Sequence, residues 1–107
     1  MISRLMSFTA HPGRGGELAE LMRRVAESLR GFPGCELYVI TREAEAPDRV
    51  RVFEVWQDEE SAAAALSASP GTVEVPSPAD VMALLTGPPE RIDLDVIGGV
   101  GLPPTTG

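Results

Sequence analysis

Two neighbouring runs, Cys35 to Arg42 and Val50 to Trp56, carry apolar side chains on both alternating sets of positions, and this limits the fold more tightly than any other feature. Leu37 and Val39 oppose Tyr38 and Ile40, while Val52 and Trp56 oppose Phe53 and Val55. Successive side chains of a strand point to opposite faces, so a sheet built on these runs is apolar on both sides. The chain's own helices can clad one face. The other needs a further cover, because an antiparallel sheet with a wet face shows clean apolar–polar alternation. A two-fold partner laying sheet on sheet would bury that face in an isologous contact. The alternative is a monomer whose own tail, Gly98 to Gly107, covers it.

The remaining periodicities supply the helices. Ile2, Met6, Phe8 and Ala10 alternate with Ser3, Ser7 and Thr9 and read as a first strand, which His11-Pro12-Gly13-Arg14-Gly15-Gly16 breaks. From Glu17 the period lengthens: Leu18, Leu21, Met22, Val25 and Leu29 form a helical stripe that Gly31 and Pro33 close. Glu43 to Arg49 reads as a polar loop between the two central runs, which then form an antiparallel hairpin. Asp58 is placed to cap a helix through the alanines 62–65, and Ser77-Pro78-Ala79-Asp80 is a second helix start. Ile92, Leu94, Val96 and Ile97 read as a last strand. The order β-α-β-β-α(α)-β predicts an α+β domain of the ferredoxin-like βαββαβ kind over residues 1–100, with one four-stranded antiparallel sheet and helices on one face. Residues 101–107 read as a flexible tail.

Composition removes several function classes. A formal charge of −7 argues against nucleic acid as a partner, since a phosphate backbone demands a positive face. The nine basic residues are all arginines, which excludes lysine Schiff-base chemistry and lysine phosphate loops. One cysteine, Cys35, permits no internal disulfide and fits a reducing, cytoplasmic setting. Met1 to Ala10 is interrupted by Ser3, Arg4 and Ser7, so it reads as neither a signal-peptide core nor a membrane span. No cluster of His, Cys, Asp and Glu has metal-ligand spacing, so no metal is expected.

Pro33-Gly34-Cys35-Glu36-Leu37-Tyr38, followed by a hairpin ending Phe53-Glu54-Val55-Trp56-Gln57-Asp58-Glu59, resembles the antibiotic biosynthesis monooxygenase family. The stretch from Leu84 to Glu90, then Leu94 to Gly99, is similar to members regarded as quinol monooxygenases. The resemblance spans about residues 1 to 100. It implies a dimeric α+β barrel with a pocket between sheet and helices in each subunit. It also implies oxidation of quinols, anthrones or related aromatics by molecular oxygen without a cofactor, the deprotonated substrate itself passing an electron to oxygen. The protein then supplies an apolar cavity, a proton acceptor and a polar group to hold the phenolate.

On that resemblance Trp56 is the first catalytic candidate: its indole would line the pocket, and its N–H would donate to a substrate or peroxide oxygen, or in a purely structural role to a carbonyl. Phe8, Met22, Tyr38, Phe53 and Leu66 are expected to shape the pocket. Many relatives carry a histidine nine residues beyond the tryptophan, where this chain has Ala65, and some use an asparagine four residues before it, where this chain has Val52. Haem ligation of the kind used by haem-degrading cousins needs a histidine in the later helical region, and none lies beyond His11. His11 reads as a solvated turn residue before it reads as a base. Glu54 shares a strand face with Val52 and Trp56 and would serve as a base if desolvated, though pairing with Arg4 or Arg42 is the reading preferred. Cys35 reads as a small hydrophobe, and Gly13-Arg14-Gly15-Gly16 as a turn with an acid, Glu17, in the following helix. Two functions remain in view: a cofactor-independent monooxygenase, and a dimeric module that binds a small apolar or aromatic molecule without chemistry. Neither involves nucleic acid or a membrane.

Overall fold

The computed structural model describes residues 1–68 and 75–103. Along the chain lie β1 (Ile2–Thr9), α1 (Gly15–Ser28), β2 (Cys35–Glu43), β3 (Ala46–Trp56), α2 (Glu59–Ser67), α3 (Pro78–Met82) and β4 (Glu90–Asp95). The strands form one antiparallel sheet in the order β2-β3-β1-β4, the ferredoxin-like α+β arrangement that the element order predicted. Most of the 101–107 tail, residues 104–107, lies outside the described residues.

Alternation along the two central strands decides what each face does. Met6 and Phe8 of β1 stand beside Val52 and Val50 of β3, and all four pack against Leu18 and Met22 of α1 and Val81 of α3. Toward the other end of the sheet, Trp56 packs with Ala62 and Ala65 of α2, flanked by Leu29, Phe32 and Cys35. The odd residues face away from the helices. There Ser3 and Val55 are buried at the centre, while Val39, Ile92 and Leu94 stand 40%, 54% and 40% exposed around them. Val100, within the Gly98–Gly107 segment that offered an intramolecular cover, is itself exposed, as is Ile97 just before it.

Three boundaries differ from those expected, and each has a local cause. The polar loop expected over residues 43–49 is only a two-residue turn, Ala44-Glu45, after which β3 begins at Ala46. The register jumps between Arg42 and Glu43, so residues 47–49 form an irregularity on the β3 side. There Ala10 donates its N–H to the Asp48 carbonyl at 2.8 Å, holding the segment against β1. This turns the Asp48 carboxylate onto the start of α1, where it accepts the N–H groups of Gly15 at 2.9 Å and Gly13 at 3.1 Å. The helix consequently starts at Gly15 instead of Glu17. A Cβ at Gly15 would overlap the Pro47 carbonyl, so this position is open only to glycine. The glycine-rich turn is thus filled by the chain's own carboxylate, consistent with a turn and not a phosphate loop. At the far end β4 stops at Asp95, leaving Val96 and Ile97 beyond the strand.

Candidate active site

The two central helices begin as their sequences suggested: Asp58 accepts the Ser61 N–H at 2.8 Å to start α2, and Ser77 with Asp80 forms a reciprocal capping box at α3. Gly34, at φ +85°, fits beneath Ser61, where a Cβ would overlap the serine side chain. Its carbonyl accepts the Gln57 N–H at 2.8 Å. These contacts fix α2 directly against the end of β3, one residue beyond Trp56.

Between the helix-facing side of the sheet and α1, α2 and α3 lies a cavity of about 290 Å³. Ligand pockets commonly occupy about 300–1,000 Å³, so this one suits a substrate of one or a few fused rings. Phe8, Met22, Tyr38, Trp56 and Leu66, all expected to shape a pocket, are brought together in its lining. Phe53 is not among them. It pairs with Leu5 of β1 and Val39 of β2, an odd-numbered position on the sheet face turned away from the helices. Val52 is wholly buried in the core beneath the helices, Ala65 lines the cavity, and His11 is exposed at the β1–α1 turn, outside the lining.

The polar end of the cavity belongs to a row of polar residues that crosses the sheet. In register across the four strands run Tyr38 of β2, Glu54 of β3, Arg4 of β1 and Asp93 of β4. Glu54 is 8% exposed, and its Oε1 accepts the Trp56 Nε1–H at 2.9 Å. The indole N–H that was open to a substrate oxygen or a carbonyl is therefore engaged by a carboxylate two residues away. Edge-on rings hold the indole plane, with Phe32 and Tyr38 each at a centroid distance of 6.4 Å. Arg4 Nη1 stands 3.7 Å from the same Glu54 oxygen, Nη2 donates to Glu59 Oε2 at 2.7 Å, and Nε lies 4.0 Å from Asp93 Oδ1. That Nε is buried with no hydrogen-bond partner among the described residues. The expected Arg4 partnership with Glu54 thus exists, but as one arm of a network.

Desolvation dominates the electrostatics here. Burial pushes the Glu54 carboxyl above its ordinary range, against the opposing pull of the Trp56 hydrogen bond and the Arg4 and Arg91 charges. Burial, then the charge of Glu54, raises the Tyr38 hydroxyl well above its usual value, so at neutral pH it keeps its proton. The Cys35 thiol is raised as well, chiefly by burial and next by Glu54, which agrees with a small packed hydrophobe. Among the described residues no three His, Cys, Asp or Glu side chains converge as a metal-binding group. Arg4 is the residue that sequence reading undervalued. It lies on the inward phase of β1 with Ile2, Met6 and Phe8, and a cation at an inward strand position, beside a strand with an inward glutamate, was the available signal.

Residues 1–71 match the family model described as antibiotic biosynthesis monooxygenase. The chain belongs to that family. Solved structures extend the likeness past residue 71. A presumptive antibiotic biosynthesis monooxygenase from Nitrosomonas europaea superposes with a TM-score of 0.79 at 17% identity, covering 92% of this chain and all of its own. One from Chloroflexus aurantiacus is 28% identical, with a TM-score of 0.72, covering 96% of this chain and all of its own. SnoaB, a cofactor-independent oxygenase from Streptomyces nogalater solved as an asparagine-to-alanine variant, is 22% identical, with a TM-score of 0.72 over 92% of this chain and 95% of its own. No curated protein matches the sequence significantly. The monooxygenase family assignment and the sheet-and-helix fold therefore agree. Among the described residues no helix is long and apolar enough to cross a membrane.

Proposed function

We propose that this protein is a cofactor-independent monooxygenase that oxidises a quinol- or anthrone-like aromatic with molecular oxygen in the cavity beside Trp56. The supporting observation is an apolar cavity of about 290 Å³, walled by Phe8, Met22 and Trp56 and ending at a buried carboxylate, in a chain of the monooxygenase family. One oxygen atom enters the ring system and the other leaves as water, with the required electrons and hydrogens coming from the substrate. SnoaB, a cofactor-independent oxygenase of the same fold, supports the absence of a cofactor in this reading. The apolar second sheet face supports a homodimer joined through Val39, Ile92 and Leu94.

Oxygen uptake with menadiol and anthrone tests the reading. Uptake above the uncatalysed rate is expected, and Ala65→Phe, which fills the cavity from α2, is expected to abolish it while the fold is retained. No uptake across a broad panel of quinols and anthrones would overturn it. The second reading, a module that binds an apolar ligand without turnover, draws on Val52 and Ala65 standing where relatives carry polar residues. It expects naphthoquinone-type ligands to raise Tm with no oxygen consumed.

A further inference from the structure

We propose that Glu54 is the proton acceptor of this site: its Oε2 takes the acidic O–H or ring-methylene C–H proton of the bound aromatic, while Trp56 holds the carboxylate in place through Oε1. The proposal rests on the monooxygenase reading for its substrate class. Glu54 supplies the one carboxylate of the cavity lining among the described residues. Its Oε1 is taken by the indole N–H, and Glu54 makes no other side-chain hydrogen bond among the described residues. The other polar lining groups fit different tasks. Arg4 and Arg91 are cations, Tyr38 keeps its proton at neutral pH, and the Ser77 hydroxyl accepts the Asp80 N–H as the cap of α3.

In the step itself the substrate C–H or O–H bond breaks and an O–H bond forms on Oε2. The electron pair stays in the ring system as an aromatic anion, the species able to reduce oxygen. Desolvation makes a carboxylate a stronger base, and efficient proton transfer wants the acceptor's affinity close to the working pH. The charged and titratable groups around Glu54 are Arg4 from β1, Tyr38 and Cys35 from β2, Arg91 and Asp93 from β4, and Glu59 of α2, which reaches it through Arg4. Arg4, 3.7 Å from Oε1, keeps the carboxylate ionised enough to act and lies beside the anion once it forms. Trp56 is a positioning residue, fixing the rotamer of the base.

The test separates proton removal from oxidation. Anthrone is incubated with the protein in deuterated buffer under nitrogen, and exchange of its ring-methylene protons is followed by NMR; oxygen uptake is measured separately in air. The wild type is expected to exchange above the buffer rate, with a loss as pH falls and Glu54 takes up a proton. Glu54→Gln keeps an oxygen for the indole N–H and is expected to lose exchange by about 10²-fold or more. Trp56→Phe removes a hydrogen bond to the charged form, so its acid limb is expected to move up by about one pH unit. Circular dichroism establishes that both variants fold; should Glu54→Gln fail to fold, the shift in Trp56→Phe decides. Equal exchange in wild type and Glu54→Gln, or an unmoved acid limb in Trp56→Phe, would overturn the assignment. Exchange without oxygen uptake would leave Glu54 as the acceptor and remove the monooxygenase reading, whereas uptake undiminished in Glu54→Gln would do the reverse.

Discussion

Gly34→Ala tests how α2 is held against the site. Gly34 adopts φ +85°, and an added Cβ would overlap both Oγ and Cβ of Ser61. A side chain in left-handed backbone costs about 1–2 kcal/mol, and overpacking against a fixed neighbour about 1–3 kcal/mol. The substitution should therefore destabilise by about 2–5 kcal/mol, a large share of the roughly 5–15 kcal/mol typical of a domain. The two contributions separate in a double-mutant cycle. Ser61→Gly removes both obstructing atoms and leaves the Ser61 N–H position, which Asp58 caps, in the backbone. In the Gly34→Ala background it should return the steric share, about 1–3 kcal/mol, less about 0.5–1 kcal/mol for a glycine in a helix. Ser61→Ala should return less, because its Cβ remains in the way. Urea unfolding of the four proteins gives the coupling energy. A Gly34→Ala protein within about 0.5 kcal/mol of wild type, or one equally destabilised whether residue 61 is Ser or Gly, would refute the reasoning.

Further outcomes follow from the same contacts. Burial raises the Glu54 pKa, so between its unfolded and folded values the native state binds more protons than the unfolded chain, and stability must fall as pH rises through that interval. Glu54→Gln should flatten that slope and match or exceed wild-type stability at neutral pH by on the order of 1 kcal/mol; urea midpoints across pH measure it, and an unchanged slope would exclude a raised carboxyl. Asp48→Ala removes the acceptor of the Gly13 and Gly15 N–H groups and should cost about 0.5–2 kcal/mol, with Asp48→Asn costing much less; equal melting of all three would show that the cap contributes nothing. If the apolar sheet face joins two copies, light scattering should report a dimer, and Val39→Glu with Leu94→Glu should convert it to monomer. A wild-type monomer at high concentration would contradict that arrangement.

The fold was readable because periodicity fixes it: the 3.6-residue stripe through Leu18, Met22 and Val25 and the two-residue alternation of the strands are local signals. The β3 start was not, because Pro47-Asp48-Arg49 looks like a loop by composition and is drawn into pairing by a distant partner, the Ala10 N–H. Phe8, Met22, Tyr38, Trp56 and Leu66, named on the resemblance, stand in the cavity lining. Phe53 does not, and its parity already placed it opposite Val52 and Trp56. The charge row was half legible. Glu54 has the phase of Trp56, but the partner of the indole N–H depends on rotamers, and the Arg4 link to Glu59 joins residues 55 apart in sequence.

That row also bears on the choice between chemistry and mere binding. A half-satisfied buried polar network is costlier than an apolar core, and this one is half-satisfied: a glutamate pushed toward protonation by burial sits beside an arginine whose Nε has no hydrogen-bond partner among the described residues. Leu or Val at both positions would continue the inward pattern of Met6, Phe8, Val50 and Val52, and a pocket that only held an apolar ligand would be the better for it. Departures from such local rules concentrate where function requires them. In this chain the polarity at the Trp56 end of the cavity is carried by Glu54 and Arg4, with Trp56 bonded to the carboxylate. Replacing both charges, Arg4→Met with Glu54→Leu, therefore discriminates: a binding module should keep its ligand and gain stability, whereas a monooxygenase should gain stability and lose turnover.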